Sequence, residues 1–342
     1  MSNWDLIEKN ELSQNAQGGT ELFMKFIYGG GIPRELLEQV QIIPSRVREL
    51  KMDKIRILTF HDLPDEPDYK KLMDESYRNK FHKLVFISNW QYQQFRNYLG
   101  IQYNLQSTVI EHGLEPSNIN IMEKQKKDVI DIAYFTTPHR GLNILVQVFD
   151  ILSKEDKNIH LHVHSSFKAY GWEDRDKEYQ PLFDYVNNHP QMTYYGFTPY
   201  EELREKIKSY DIFAYPCIWQ ETACRSLLEA MSTGMLCVHP NFGALPDTSG
   251  GLNIMYDGST DINEHGGQFA LSLKHAINSI RTGGEALRNR MIFNKVYADT
   301  RYDPKLALGK WNHLITDLMK KYPDEGSRSK IPSPVAFNYR TT

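Results

Sequence analysis

Short apolar runs alternate with amphipathic segments along nearly the whole chain, and this alternation constrains the fold most. Segments 40–44, 55–60, 84–88 and 107–110 are strand-length and rich in β-branched and aromatic residues, while 22–28 and 89–99 have helical spacing. The pattern then repeats more cleanly. Strands are expected at 130–135, 160–164, 192–195, 212–215, 235–238 and 252–255. Helices are expected at 142–152, 179–188, 200–209, 269–281, 285–298 and 304–321, with one more beginning near Glu221 and containing 226–231. Such alternation of strands with helices calls for parallel sheets covered by helices on both faces. A chain of 342 residues exceeds one ordinary domain. The division is placed at 1–117 and 118–322, with the polar tail 323–342 as an arm that packs on the first domain or stays disordered.

Composition excludes several classes. Apolar residues at 40% and charged residues at 24% are those of a globular protein, and a net charge of −3 gives no general attraction to polyanions. No apolar run approaches the ~20 residues that span a bilayer. The first residues, Met1 to Lys9, carry acids and no apolar core, so they do not read as a signal peptide. Cys217, Cys224 and Cys237 lack zinc-like spacing and read as reduced thiols, which points to a cytoplasmic protein. His160, His162 and His164 alternate on one strand and face one side. That spacing fits a metal site or a half-buried strand, and no metal is assigned.

The motif with the most chemistry is Glu221-Thr-Ala-Cys-Arg-Ser-Leu-Leu-Glu229. With the helix starting near Glu221, the two carboxylates lie about 12 Å apart along its axis. That is too far to share one metal or one proton, but it suits an elongated ligand with an anion held on the helix N-terminal amides. The pair also suits a solvated helix face. In parallel sheets ligands bind beyond the C-terminal strand ends. His61, Ser88, His112, Arg140, His164, Gly196 and Glu221 all fall there.

Together with Tyr194-Tyr-Gly-Phe-Thr198, Tyr210-Asp-Ile-Phe-Ala-Tyr-Pro216, Ala230-Met-Ser-Thr-Gly234 and Gly243-Ala-Leu-Pro-Asp247, this stretch resembles the donor domain of glycosyltransferase family 4. Arg140-Gly-Leu142, Ser88-Asn-Trp90, His61-Asp-Leu-Pro64 and Gly18-Gly-Thr-Glu21 extend the resemblance to about residues 17–320. It implies a GT-B fold, two Rossmann-like domains facing across a cleft, and a retaining enzyme. Only 17 residues, most of them polar, precede Gly18, so the N-terminal domain reads as reduced.

The resemblance also implies roles. Glu229 binds ribose hydroxyls, and Glu221 holds hydroxyls of the transferred sugar. Thr222, Ala223 and Cys224 supply backbone N–H groups to sugar and phosphates. Arg140 neutralises the leaving diphosphate, although alone it would read equally as a surface charge at a helix start. Residues 134–137 contain no second base, and His139 and Lys168 are the candidate substitutes. Gly18 and Gly19 let backbone approach the phosphates. Gly196, Phe197 and Thr198 contact the nucleobase. His61 faces sugar or acceptor, or is structural.

The expected activity is transfer of a hexosyl or pentosyl group from a nucleoside diphosphate sugar to an acceptor hydroxyl, with retention and without metal or other cofactor. A glycoside phosphorylase and a non-catalytic nucleotide-sugar-binding protein are the alternatives. The acceptor is left open among a glycan, a small molecule, a protein and a modified nucleobase.

Overall fold

The computed structural model describes residues 2–7, 17–100, 106–124, 127–329 and 331. Backbone contacts divide the chain into two compact units, one of residues 1–12, 19–113 and 304–342, the other of residues 13–18 and 114–303.

In the first unit the described residues form a four-stranded parallel sheet ordered β1-β2-β3-β4. Its strands are Val40–Pro44 (β1), Ile55–Thr59 (β2), Lys83–Phe86 (β3) and Ser107–Val109 (β4). Alternation along the strands builds two cores. Ile55, Ile57 and Val85 turn to one face and pack with Phe23, Ile27, Trp311 and Ile315. Leu58, Leu84 and Phe86 turn to the other and pack with Tyr69, Phe95 and Leu99. The helix Asn89–Leu99 starts on a serine cap, with Ser88 Oγ accepting from the Gln91 amide at 3.0 Å. It ends at Gly100, whose φ is 63°.

The helix Pro304–Lys321 forms as its spacing predicts, but it belongs to the first unit rather than the second. Its apolar stripe of Ala307, Trp311, Ile315 and Leu318 is buried, and Trp311 lies 5.8 Å from the Phe23 ring. A stripe of this kind suits any apolar sheet face, so periodicity alone does not say which sheet takes it. The tail beyond residue 331 lies outside the described residues.

In the second unit the strands are Ile130–Tyr134 (β5), Ile159–Val163 (β6), Met192–Tyr194 (β7), Ile212–Ala214 (β8), Leu236–Pro240 (β9) and Ile254–Tyr256 (β10). They form a parallel six-stranded sheet ordered β10-β9-β8-β5-β6-β7. This is the doubly wound order in which the chain runs outward in both directions from a central pair, here β5 and β8. Ligands of such sheets bind at this switch point, beyond the C-terminal ends of the strands. Among the described residues, no helix is long and apolar enough to cross a membrane.

Candidate active site

The loop after β5 passes through a short turn, Pro138–Arg140, to Gly141 and the helix Leu142–Glu155. Gly141 has a φ of 114°, and a Cβ there would sit 2.0 Å from the Pro216 carbonyl oxygen. Only glycine fits, so the loops after β5 and β8 touch at the switch point. This contact brings together two residues expected in the site. Arg140 Nη1 donates to Glu221 Oε1 at 2.5 Å, and Arg140 Nη2 lies 3.2 Å from the Tyr170 hydroxyl. The Tyr215 hydroxyl donates to the same Glu221 oxygen. Burial works against the Arg140 charge, but the Glu221 carboxylate outweighs it and holds the guanidinium well above its ordinary pKa. Burial, with Cys217 and Glu221 adding to it, likewise keeps the Tyr215 phenol protonated.

The helix expected from Glu221 begins instead at Arg225, as Arg225–Ser232. Glu221 lies on the preceding loop and is turned toward Arg140, so the axial separation expected from a continuous helix does not apply. The reason is local. Ala244 N donates to the Glu221 carbonyl at 2.8 Å, and Cys224 is extended at φ −94°, ψ 94°. Gly243, with φ 58°, lets the neighbouring loop approach, since a Cβ there would meet Glu221 N at 2.8 Å. The Cys224 amide lies 3.5 Å from Thr248 Oγ1, while Thr222 and Ala223 are half-buried on the loop between Glu221 and the helix.

Glu229 is 5% exposed. Its Oε1 accepts from the Tyr200 hydroxyl at 2.5 Å and lies 3.4 Å from Arg225 Nη2, while Oε2 lies 3.4 Å from Arg204 Nε. Arg225 also donates to the Tyr200 hydroxyl at 2.6 Å and stands over its ring. Arg204 is anchored on the Glu115 carbonyl at 2.6 Å. Tyr200, Arg204, Arg225 and Tyr215 were not singled out by the sequence reading. The Arg225–Glu229 spacing of four was the available signal.

Gly196, with φ 64°, turns the chain after β7. Thr198 Oγ1 is 2.7 Å from His164 Nδ1, and the Phe197 ring lies 5.7 Å from Lys168 Nζ. His139 stacks on Phe167 at 5.1 Å. Burial, with Arg140 and Arg175 nearby, pushes its pKa down to about 4, so His139 is neutral at pH 7 and cannot stand in for a cation. The alternating histidines are used within the protein. His160 pairs with Thr193 at 2.8 Å, His162 with Asp131 at 2.9 Å, and His164 with Tyr210 at 2.8 Å. Among the described residues, no cluster of three or more His, Cys, Asp or Glu could hold a metal ion. Cys217, Cys224 and Cys237 are buried and unbridged.

Two remaining candidates lie on the first unit. His61 follows β2, with its Nε2 3.1 Å from Thr59 Oγ1 and its ring 4.8 Å from Phe23 and 5.4 Å from His112. Burial among these groups pushes its pKa down to about 3. Gly19 opens the helix Gly19–Phe26, and a Cβ there would meet nothing within 4 Å. Gly18 is buried and groups with the second unit. There the neighbouring Gln17 accepts from the Tyr200 amide at 2.9 Å.

Residues 118–250 match the family of glycosyl transferases group 1. No curated protein matches the chain. Among solved structures, a glycosyltransferase from Rickettsia africae is similar, with a TM-score of 0.65 at 16% identity over 92% of this chain and 85% of that one. The pneumococcal O-GlcNAc transferase GtfA gives 0.59 at 13% identity over 78% of this chain and 53% of GtfA, about half its length. Anabaena HepE gives 0.55 at 15% identity over 78% of this chain and 72% of HepE. The two parallel sheets and these likenesses are those of the GT-B fold, and residues 118–250 are similar to the glycosyl transferases group 1 family.

Proposed function

We propose that the protein is a retaining glycosyltransferase that moves a sugar from a nucleoside diphosphate sugar to an acceptor hydroxyl. The observation that carries this reading is the Arg140–Glu221 contact at the β5/β8 switch point, with Glu229 on the helix that follows. Both observed bonds to Glu221 fall on Oε1, so Oε2 is assigned to hydroxyls of the transferred sugar. Glu229 is assigned to the ribose, because a carboxylate can accept from two vicinal hydroxyls beyond its protein partners. Thr222, Ala223 and Cys224 are assigned to sugar and phosphate through their backbone, and Gly18 and Gly19 to the phosphates. Gly196, Phe197 and Thr198 are assigned to the base, and His61 to the acceptor.

In the reaction the bond between the anomeric carbon and the diphosphate oxygen breaks, and its electron pair leaves with the diphosphate. The acceptor oxygen bonds to the anomeric carbon on the same face, and its proton passes to the departing diphosphate. No protein nucleophile is assigned. Glu221 is held by Arg140 and Tyr215 as an acceptor of hydrogen bonds, and positioning with electrostatic stabilisation lowers the barrier. No cofactor is assigned.

Solved structures of GtfA and HepE hold UDP and UDP-glucose respectively, so UDP-sugars are the first donors to try. Incubation with UDP-, GDP- and ADP-sugars should release the nucleoside diphosphate by transfer or slow hydrolysis. Binding without release would overturn the catalytic reading, and release of sugar phosphate with inorganic phosphate would make the protein a phosphorylase.

A further inference from the structure

We infer that the loop from β6 to the helix Gln180–Asn188, together with the loop after β8, forms an aromatic shelf that stacks the acceptor, a neutral saccharide. The inference names the acceptor class for the transferase reading above and rests on that reading. Both loops lie in the second unit and meet at the turn Pro138–Arg140. From one side the Tyr170 hydroxyl lies 3.2 Å from Arg140 Nη2. From the other, the Trp219 ring meets His139 edge to face, with centroids 5.1 Å apart. Arg140 in turn donates to Glu221, the carboxylate assigned to the transferred sugar. The shelf therefore begins one side chain away from the place assigned to the reacting sugar.

The loop after β6 is held in one shape. Ser166 Oγ accepts from the Lys168 amide at 2.9 Å and donates to Asp176 at 2.5 Å, and Asp176 also accepts from the Phe167 amide at 2.8 Å. Phe167 is 1% exposed, with His139 stacked on it at 5.1 Å and the Arg175 guanidinium 4.5 Å above its ring. On this base two indoles stay open to water. Trp172 is 53% exposed although Tyr170 lies 5.4 Å away, and Trp219 is 45% exposed. Large rings held in water on a fixed loop beside a site mark a surface prepared for a ligand. Charge and chemistry say which ligand. Residues 168–178 carry three cations against four carboxylates, so the loop gives no attraction to a nucleic acid strand or an anionic membrane. One face of a pyranose presents polarised C–H groups, which the electron-rich face of an indole attracts. The hydroxyls on its rim would donate to carboxylates, and Glu173 and Glu178 are exposed on this loop.

The test is titration of the full chain, without donor, with maltose, cellobiose, lactose and chitobiose, followed by ligand-observed NMR and tryptophan fluorescence. At least one disaccharide should bind and perturb the emission. Trp172→Ala and Trp219→Ala should each weaken that binding by about 3- to 10-fold, the scale of one stacked ring. In transfer assays each should raise the acceptor KM by a similar factor with kcat changed less than about threefold, the mark of a contact made equally before and during reaction. Trp172→Phe keeps a ring but removes the indole, so it should recover most of the affinity while the fluorescence change shrinks, a pairing that a merely structural role would not give. Circular dichroism verifies the fold, and Trp172→Phe serves as the readout should an alanine variant not fold. Three results overturn the inference: a native protein that binds none of the four sugars, an unchanged affinity in either alanine variant, or attachment to phosphatidylcholine vesicles through the two tryptophans in place of sugar binding. Each leaves the transferase reading standing, because the titration contains no donor. Failure to release nucleoside diphosphate from any donor overturns that reading, and the acceptor role of the shelf with it.

Discussion

Glu221 Oε1 takes a hydrogen bond from Arg140 at 2.5 Å at the point where the second sheet reverses its strand order. The contact depends on two glycines, Gly141 and Gly243, which let three loops converge on one carboxylate. Both partners are largely withdrawn from water, with side-chain exposures of 19% for Arg140 and 6% for Glu221. Removing either leaves the other uncompensated. Arg140→Ala and Glu221→Ala should each destabilise the second unit by about 3 kcal/mol, and the double variant by clearly less than the sum. Chemical denaturation of the set measures this, and simple additivity would show that the pair is not coupled.

Function should separate from stability at the same carboxylate. Glu221→Gln keeps the side chain's shape and should lower turnover by about 100-fold or more while donor affinity changes little. Glu229→Ala should do the reverse, weakening nucleotide binding by about tenfold or more through loss of the ribose acceptor. Calorimetry and initial rates on the two variants give the comparison. Unchanged nucleotide affinity in Glu229→Ala would remove that residue from the donor site.

The glycines give a further contrast. Gly141→Ala forces a Cβ to 2.0 Å from the Pro216 carbonyl at a φ of 114° and should prevent the loops from closing. Expected consequences are a stability loss above about 2 kcal/mol and no measurable transfer. Gly19→Ala meets nothing within 4 Å and has no positive φ, so it should leave melting unchanged. Reduced transfer by Gly19→Ala at unchanged stability would support backbone approach to the phosphates there. Full activity would show that this glycine is not needed for it.

Strand positions were legible because the signal is local. The run expected at 40–44 is the observed β1, and those at 55–60 and 130–135 each overshoot their strand by one residue. Helices were legible where caps and periodicity agree, as at Asn89–Leu99. Failures follow from long-range contacts. The start at Arg225 rather than Glu221 is set by contacts from residues 243 and 244, more than twenty positions away. The helix Ile262–Thr282 begins seven residues earlier than expected, because Gly266 and Gly267 hid a start capped by Asp261. Trp311 chose its sheet through packing that periodicity cannot specify. In the site, Glu221 and Arg140 stood out as charges at strand ends, and Glu229 stood out by its spacing from Glu221. Tyr200 and Arg204 did not, since only the fold brings them to Glu229.

Acid sensitivity is the last prediction. Burial pushes the pKa of His61, His82 and His164 down to about 3, and that of His139 and His239 to about 4. Arg56 and Arg328 add to the effect at His82. An unfolded histidine titrates near 6.5. Between the folded and unfolded values the unfolded chain therefore binds more protons, and stability rises with pH. The stabilisation is complete above about pH 6.5 and is lost as pH falls toward 4. Asp131 acts in a separate window. Burial would raise its pKa, but His162 and Lys127 outweigh that and hold it at about 2, so its contribution fades only below about pH 4. His61 and His82 lie in the first unit and the other three in the second, so both units should weaken together. Denaturation midpoints measured from pH 7 to 5 should fall steeply, with an uptake of several protons on unfolding. His164→Gln should reduce that uptake by about one proton. Midpoints that stay level across this range would mean that these histidines bind protons equally in the folded and unfolded protein.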